Sequence, residues 1–274
     1  MPAAVVPVAV GAAAAVGEPT DIVWWRVAAA LLVSLALQVG VNYANDYSDG
    51  VRGTDDVRVG PTRLVASGLA SPSAVKRAAL ASFAVAAAAG LAIALSTSLF
   101  LLLVGAAAIA AGWFYTGGPK PYGYLGLGEI FVFVFFGLVA TAGTTFAAIE
   151  SVTALSWVMG SAVGALACAL LVINNLRDIP TDREVGKKTL AVRLGDRRTR
   201  WFYVTLIGAA FALAVVGAAW RVPVLLGLVA VPLAIRPVRS VLGGATGAAL
   251  IPVLGETGRL QLAWGLLVTL GLTL

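Results

Sequence analysis

Histidine is absent from this sequence, cysteine occurs once, and charged residues make up only 12% of the 274 residues. Without histidine, histidine general bases and histidine metal sites are excluded. The single cysteine, Cys168, excludes a disulfide scaffold, and its place inside an apolar run indicates a packed small side chain. A soluble domain of this length carries about 25% charged residues. The shortage of charge therefore argues against a water-facing globule.

Hydrophobic residues make up 60% of the chain, and the mean hydropathy is +0.95. They are grouped in apolar segments, several of which are long enough to cross about 30 Å of hydrocarbon as helices. Nine such segments predict an all-α integral membrane protein, built as one transmembrane domain over residues 1–274. The segments are 3–16, 23–45, 74–95, 98–115, 125–149, 152–175, 201–220, 222–236 and 245–272.

Basic residues are concentrated in alternate connections between these segments. Of the 19 Lys and Arg residues, 16 lie in the connections between spans two and three, four and five, six and seven, or eight and nine, or within four residues of the span ends that border them. This bias is the positive-inside signature, so these connections and the N-terminus are predicted to be cytoplasmic. The net charge of +6 does not indicate nucleic acid, because the basic residues flank membrane spans and lack an aromatic–basic module. The sequence therefore predicts a multi-pass protein of a bacterial plasma membrane, in contact with lipid.

Acidic residues number 13, and more than half of them lie in two stretches on the predicted cytoplasmic face. Both stretches begin at the end of an apolar helix and run into a basic loop, the loops covering about 46–73 and 176–200. In the first stretch, polar residues at i, i+3, i+4 and i+7 share one helical face. These residues are Asn42, Asn45, Asp46 and Asp49.

The second stretch repeats the pattern with a four-residue step, through Asn174, Asp178 and Asp182. Pro180 costs the backbone bond to Leu176, so we expect the helix to kink or end there. Asp182 is then predicted to lie just past the end of the helix.

Carboxylates at a helix mouth repel one another unless a cation is bound between them. Mg²⁺ takes oxygen ligands, keeps several waters and commonly bridges carboxylates to phosphate oxygens. Two such motifs beside basic residues are therefore typical of a diphosphate held through Mg²⁺. Acids within residues 50–60 are explained equally well as solvated loop residues. The remaining phosphate charge is predicted to be neutralised by Arg52, Lys120, Arg177 and Lys187.

At these residues the sequence resembles the UbiA-type intramembrane prenyltransferases, and within them the branch that acts on 1,4-dihydroxy-2-naphthoate. The blocks that carry the resemblance are 45–55, 60–63, 115–129 and 174–195. The wider family often has N-D-x-x-D-x-x-x-D, whereas here position 53 is Gly and the third acid is Asp55, a form similar to the naphthoate branch. The resemblance implies nine transmembrane helices around a central cavity, with both aspartate motifs at its cytoplasmic end.

The resemblance also implies a reaction: a polyprenyl group passes from an allylic diphosphate to the naphthoate, with loss of CO₂ and diphosphate, giving demethylmenaquinone. Mg²⁺, as two ions, would stabilise the leaving diphosphate. The implied metal ligands and catalytic residues are Asp46, Asp49, Asp178 and Asp182. The expected substrate contacts are Asn42, Asn45, Arg52, Asp55, Arg63, Tyr115, Lys120, Tyr122, Tyr124, Asn174, Asn175, Arg177 and Lys187.

An allylic cation needs a dry cavity with aromatic faces, which attract cations. Tyr115, Tyr122 and Tyr124 are the nearest candidates by sequence, although interfacial aromatic belts explain each of them equally well. The phenylalanines of 131–136 are expected to face lipid or pack in the core. Glu129 either tunes the aromatic acceptor or fills a polar gap.

Other functions remain open from the residues alone. A transporter would use the acids as an ion path, but the acids cluster at one mouth instead of at the midplane. The acidic motif of CDP-alcohol phosphotransferases is not present in the sequence. Among prenyltransferases, 4-hydroxybenzoate and homogentisate are alternative acceptors.

Overall fold

The computed structural model describes residues 1–54 and 62–274. The predictions for Asp55 and for positions 60 and 61 lie outside the described residues. Within these limits the secondary structure is helical throughout. The α-helices are α1 (Pro2–Ala14), α2 (Trp24–Arg52), α3 (Pro72–Ser96), α4 (Phe100–Phe114), α5 (Gly128–Val132), α6 (Ala140–Ile149), α7 (Ala154–Arg177), α8 (Ile179–Glu184), α9 (Leu190–Leu194), α10 (Asp196–Gly217), α11 (Val231–Leu242) and α12 (Leu250–Thr273). A π-helical segment, Phe133–Val139, joins α5 to α6, and 3₁₀ turns occupy Tyr122–Leu125, Val222–Ala230 and Gly247–Ala249.

Every predicted span coincides with helical structure in the described part of the chain, which confirms the all-α membrane fold. Six stretches are long and apolar enough to cross a membrane; α1 and α4 are shorter apolar helices, and α12 occupies the last predicted span. The six are Trp24–Arg52, Pro72–Ser96, Gly128–Ile149, Ala154–Arg177, Asp196–Gly217 and Val222–Leu242.

Several helices extend beyond the apolar segments from which they were predicted, among them α2 and α10. Helix α2 continues for about two turns past residue 45 and ends at Gly53, whose φ of 71° is the left-handed conformation that glycine adopts readily at a helix end. Asp46 and Asp49 therefore both lie within the helix. Helix α10 begins at Asp196, ahead of the predicted position 201, because Arg200 pairs with Asp196 one turn earlier.

Pro180 separates α7 from α8, as its missing N–H predicts. Asp178 stands at the junction, and its backbone oxygen accepts a hydrogen bond from the Asp182 N–H at 2.8 Å. The turn therefore stays compact. Asp182 lies in the first turn of α8, the short helix that follows α7.

Two groups of helices form the interior. Helix α7, the most buried of the candidate spans, packs with α1, α10 and α12 in the larger core. A smaller cluster joins α2, α3 and α4 around Phe83. Gly40 and Gly112 let those helices approach the Phe83 ring, because a Cβ atom at either position would lie within 3.3 Å of it.

The π-helical segment crosses α7 at a point where both helices carry glycine. A Cβ atom added at Gly137 would lie 2.5 Å from the Gly164 Cα atom and 2.8 Å from the Gly160 carbonyl oxygen. Both obstacles are backbone atoms, which cannot rotate away. The close crossing therefore requires glycine at position 137.

We expect Gly137→Ala to destabilise the protein by about 1–3 kcal/mol through overpacking, which corresponds to a fall in Tm of about 2–10 °C. Thermal unfolding in detergent measures this. Gly208→Ala is the matched control, since a Cβ there meets nothing within 4 Å, and its Tm should stay the same or rise. An unchanged Tm for Gly137→Ala would contradict the close crossing.

Candidate active site

A cavity of about 890 Å³ lies between the two groups of helices. Apolar residues of α2, α3, α4, α6, α7 and the π-helical segment line much of it. Polar side chains gather where the C-terminal ends of α2 and α7 meet the 181–189 segment. The polar lining comprises Gln38, Asn42, Asn45, Asp49, Thr54, Arg63, Thr116, Asn174, Asn175, Asp178, Thr181, Asp182, Lys187 and Thr189.

The polar face of α2 turns toward this cavity as its spacing predicts. Asn42, Asn45 and Asp49 all line the cavity. The Asn42 amide donates to the Gln38 carbonyl oxygen at 2.8 Å, and Asn45 Oδ1 accepts from the Thr116 hydroxyl at 2.8 Å. Thr116 thereby fixes the orientation of the Asn45 side chain.

Asp49 is the centre of the polar network, with only 4% of its surface exposed. Its Oδ1 accepts from the Tyr124 hydroxyl at 2.8 Å, and its Oδ2 accepts from Lys187 Nζ at 3.1 Å. Lys187 Nζ also lies 4.7 Å from the centroid of the Tyr124 ring. These contacts bring together α2, the 122–125 turn and the loop after α8.

The pKa values of Lys187 and Tyr124, the two groups that face Asp49, are both raised. Burial alone would lower the pKa of Lys187, but the carboxylates of Asp49 and Asp182 and the hydrogen bond to Asp49 outweigh it and raise that pKa. Burial, aided by the Asp49 carboxylate, raises the pKa of the Tyr124 hydroxyl. Lys187 is therefore a cation and Tyr124 a neutral donor at physiological pH.

The second motif supplies two further carboxylates to the cavity, Asp178 and Asp182. Asp182 is buried, and its Oδ2 accepts from the Thr189 hydroxyl at 3.4 Å. Burial raises the pKa of Asp182 to about 6, although the nearby Lys187 opposes the rise. A cation placed beside Asp182 would therefore stabilise its ionised form.

Asp46, predicted as a metal ligand, has a different environment. Its two carboxylate oxygens accept hydrogen bonds from the Leu64 and Val65 backbone N–H groups, at 2.9 and 3.0 Å. It is not among the residues that line the cavity. Here Asp46 holds the start of the 64–70 segment against α2, and its predicted role at a metal stays a prediction.

Three basic residues predicted to bind phosphate lie away from the cavity lining. Arg52 donates to the Thr116 and Gly118 carbonyl oxygens, so it ties the end of α2 to the loop after α4. Arg177 is buried and donates to both oxygens of Asp178, at 2.7 and 2.8 Å. Lys120 is exposed. Of the predicted cations, Lys187 and Arg63 are those that line the cavity.

Aromatic rings line the cavity next to the polar mouth. Tyr115 and Tyr122 meet edge to face at 5.5 Å, and Tyr122 stacks on Phe131 at 3.9 Å. Phe135 and Phe136 also line the cavity. The expectation that the phenylalanine run faces lipid or core is therefore wrong for these residues, because the π-helical turn shifts successive side chains relative to a regular helix.

Asn175 faces the cavity beside Asn174, and its amide donates to Glu129 Oε1 at 2.9 Å. Glu129 lies in α5 and is buried, so it occupies a polar gap between α5 and α7. Cys168 adds a second link between these helices, since its thiol donates to the Glu129 backbone oxygen at 3.1 Å. Its role as a packed side chain is consistent with this position.

The oxygen ligands of the site fit Mg²⁺ only together with a substrate. Among the described residues, no three His, Cys, Asp or Glu side chains lie close enough to hold one ion by themselves. Asp49, Asp178 and Asp182 nevertheless line one cavity. Mg²⁺ is usually held by one or two carboxylates together with waters and substrate phosphates. These residues therefore suit an ion that arrives with a diphosphate.

Sequence reasoning missed several polar residues of the site. Gln38 lies four residues before Asn42 on the same face of α2, so the helical period could have found it. Thr54, Thr116 and Thr189 carry no such signal. Each is brought to the cavity by a turn between helices, which spacing along one helix does not predict.

Known proteins resemble this chain in sequence over most of its length. The model of the UbiA prenyltransferase family matches residues 4–244. A 1,4-dihydroxy-2-naphthoate octaprenyltransferase of Mycobacterium tuberculosis is 52% identical over 271 residues, covering 98% of this chain and 91% of that protein.

Solved structures share the fold. The apo structure of a UbiA homolog from Aeropyrum pernix matches with a TM-score of 0.75 at 18% identity, over 98% of this chain and 96% of that one. A UbiA homolog from Archaeoglobus fulgidus bound to GPP and Mg²⁺ matches with a TM-score of 0.63 at 17% identity, over 97% and 96%. With the family match over most of its length, the chain is a multi-pass membrane protein that belongs to the UbiA prenyltransferase family.

Proposed function

We propose that this protein transfers a polyprenyl group from an allylic diphosphate to 1,4-dihydroxy-2-naphthoate, with loss of CO₂ and diphosphate, in menaquinone synthesis. The observation that carries the proposal is a largely apolar cavity that ends in three carboxylates and a lysine. The relative from M. tuberculosis, which bears the name of this activity, supports the choice of acceptor.

The polar mouth suits the diphosphate. Asp49, Asp178 and Asp182, with Asn45 and Asn174, would hold Mg²⁺, for which the GPP- and Mg²⁺-bound neighbour is a precedent within the fold. Bound Mg²⁺ would act as a Lewis acid on the leaving diphosphate. Asp49 would then exchange its ion pair with Lys187 for the metal. Lys187 Nζ would donate to a phosphate oxygen instead.

The apolar part of the cavity suits the rest of the reaction. The prenyl chain would lie among the side chains of α3, α4 and α6, where water is excluded. The C–O bond breaks, its electrons leave with the diphosphate, and the allylic cation forms beside Tyr115, Tyr122 and Phe131. The electron-rich naphthoate ring then bonds to the allylic carbon, and its carboxylate leaves as CO₂. Aromatic faces can stabilise a desolvated cation by about 2 kcal/mol.

We further propose that the protein lies in a bacterial plasma membrane as one domain over residues 1–274, with its N-terminus and both motif-bearing loops cytoplasmic. The support is the concentration of Lys and Arg in alternate connections. A polyprenyl diphosphate dissolved in the inner leaflet would then present its headgroup directly to the polar mouth.

The purified protein, given naphthoate, a polyprenyl diphosphate and Mg²⁺, should yield the prenylated 1,4-diol, which mass spectrometry detects as demethylmenaquinone after oxidation by air. EDTA should abolish the product. Asp49→Asn and Asp182→Asn should each lower kcat at least about 100-fold, because charge stabilisation of the leaving group is lost. Asp21→Asn, an exposed carboxylate remote from the cavity, is the control and should retain activity.

Activity that persists in EDTA, or in Asp49→Asn, would contradict the proposed metal site. Product formed only with 4-hydroxybenzoate would keep the mechanism and overturn the acceptor. An absence of product with every aromatic acceptor would overturn the proposed function.

Lys187 and Lys120 should behave differently although the sequence predicts both as phosphate ligands. Lys187→Met should raise the KM for the diphosphate about tenfold or more, since a charge-assisted hydrogen bond is lost. Lys120→Met should change it less than twofold, because this side chain is exposed and outside the cavity lining. Equal effects of the two substitutions on the KM would refute this distinction.

Single cysteines introduced at exposed positions test the orientation, because the native Cys168 is buried. In intact spheroplasts, a membrane-impermeant maleimide should label Thr20→Cys, between α1 and α2. It should label Glu184→Cys, in α8, only after permeabilisation. The opposite labelling pattern would show that the orientation is inverted.

A further inference from the structure

Glu129 is a buried carboxylate that does not line the cavity but contacts Asn175, which does. Glu129 has 5% of its surface exposed, Asn175 has 8%, and their side chains meet at 2.9 Å between α5 and α7. Glu129 Oε2 is buried without a hydrogen-bond partner among the described residues. Ionisable groups at this depth are costly, so the pair calls for an explanation beyond packing.

The pairing fixes which end of the Asn175 amide faces the cavity. The Asn175 amide nitrogen is the atom that donates to Glu129 Oε1, so the amide turns its nitrogen toward Glu129. Its oxygen, Oδ1, is then the atom left for the cavity that Asn175 lines. Within residues 1–54 and 62–274, no hydrogen-bond donor is recorded on Oδ1.

We propose that Glu129 is a positioning residue that orients Asn175, so that Asn175 Oδ1 accepts a hydrogen bond from a hydroxyl of the aromatic acceptor. The proposal rests on the proposed function. Diphosphate oxygens are acceptors and gain nothing from another acceptor, and the asparagines proposed to hold Mg²⁺ are Asn45 and Asn174. Phenolic hydroxyls, in contrast, are donors. The Glu129–Asn175 pair therefore recognises the aromatic substrate and leaves the diphosphate to Asp49, Asp178 and Asp182.

Glutamate fills this role more strictly than glutamine would. A glutamine at position 129 could rotate and donate to Asn175 Oδ1, which would allow the opposite orientation of the Asn175 amide. An ionised glutamate allows only the orientation in which Asn175 donates its nitrogen, which is the orientation observed. Glu129 thus holds the Asn175 amide so that its oxygen, a hydrogen-bond acceptor, faces the cavity.

The test is steady-state kinetics with each substrate varied in turn, together with calorimetric titration of naphthoate. Glu129→Ala should raise the KM and the Kd for the aromatic acceptor about tenfold, the effect of one hydrogen bond. The KM for the polyprenyl diphosphate should change less than twofold. Glu129→Gln should lie between the wild type and Glu129→Ala, since half of the side-chain orientations preserve the contact.

The decisive comparison is a double-mutant cycle. If Glu129 acts only through Asn175, then Asn175→Ala should match Glu129→Ala, and the double variant should be no worse than Asn175→Ala alone. Thr145→Val is the control for a purely structural effect. It removes a buried hydrogen bond to the Gly11 carbonyl oxygen, away from the cavity lining, and should lower Tm without separating the two KM values.

Additive losses in the double variant, or equal rises in both KM values, would overturn the role assigned to Glu129. An unchanged acceptor KM in Glu129→Ala would overturn it as well. If the wild type binds or prenylates an acceptor other than naphthoate, the proposed function fails separately. The same variants, assayed on that acceptor, then decide whether Glu129 orients Asn175.

Discussion

Charge placed at the ends of membrane helices must be compensated within the protein, and Asp49 is where this requirement organises the site. It lies on a helix that the apolar part of the sequence carries into the membrane, and it is almost fully buried. Tyr124 and Lys187, from two different connections, supply its hydrogen bonds. The hydrogen bonds to Asp49 thus bring α2, the 122–125 turn and the loop after α8 together. These three elements meet at the polar mouth of the cavity.

The arginines and the lysine near Asp49 make different kinds of contact. Arg52 and Arg177 direct their guanidinium groups to carbonyl oxygens and to a neighbouring carboxylate, and so they hold loops and helix ends. Arg200 does the same farther along the chain, between Asp196 and the Val241 carbonyl oxygen. The planar guanidinium suits such fixed multi-point contacts. Lys187, a compact charge on a flexible stem, is better suited to exchange one anionic partner for another.

Periodicity predicted the helices and most of the α2 face of the site, because a helix of period 3.6 places residues 42, 45 and 49 on one side whatever surrounds them. Periodicity failed for Asp46, which its spacing also places on that face and which was therefore predicted to line the site. The adjacent 64–70 segment provides two backbone N–H groups at the right distance, and these occupy the carboxylate. The place of Phe135 and Phe136 at the cavity was not predicted either, because it depends on how the π-helical segment packs against the other helices.

By itself the sequence determined that this protein folds in a membrane, the approximate positions of its spans and the spacing of the residues in its two acidic motifs. These follow from local composition and spacing, which do not depend on distant residues. Only the tertiary structure decided which cations reach the cavity, which way the Asn175 amide is turned and which carboxylate is already occupied. Each of those outcomes depends on contacts between residues far apart in the chain, such as Asp49 with Lys187 and Glu129 with Asn175. The packing of the helices and of the connections between them sets those distances.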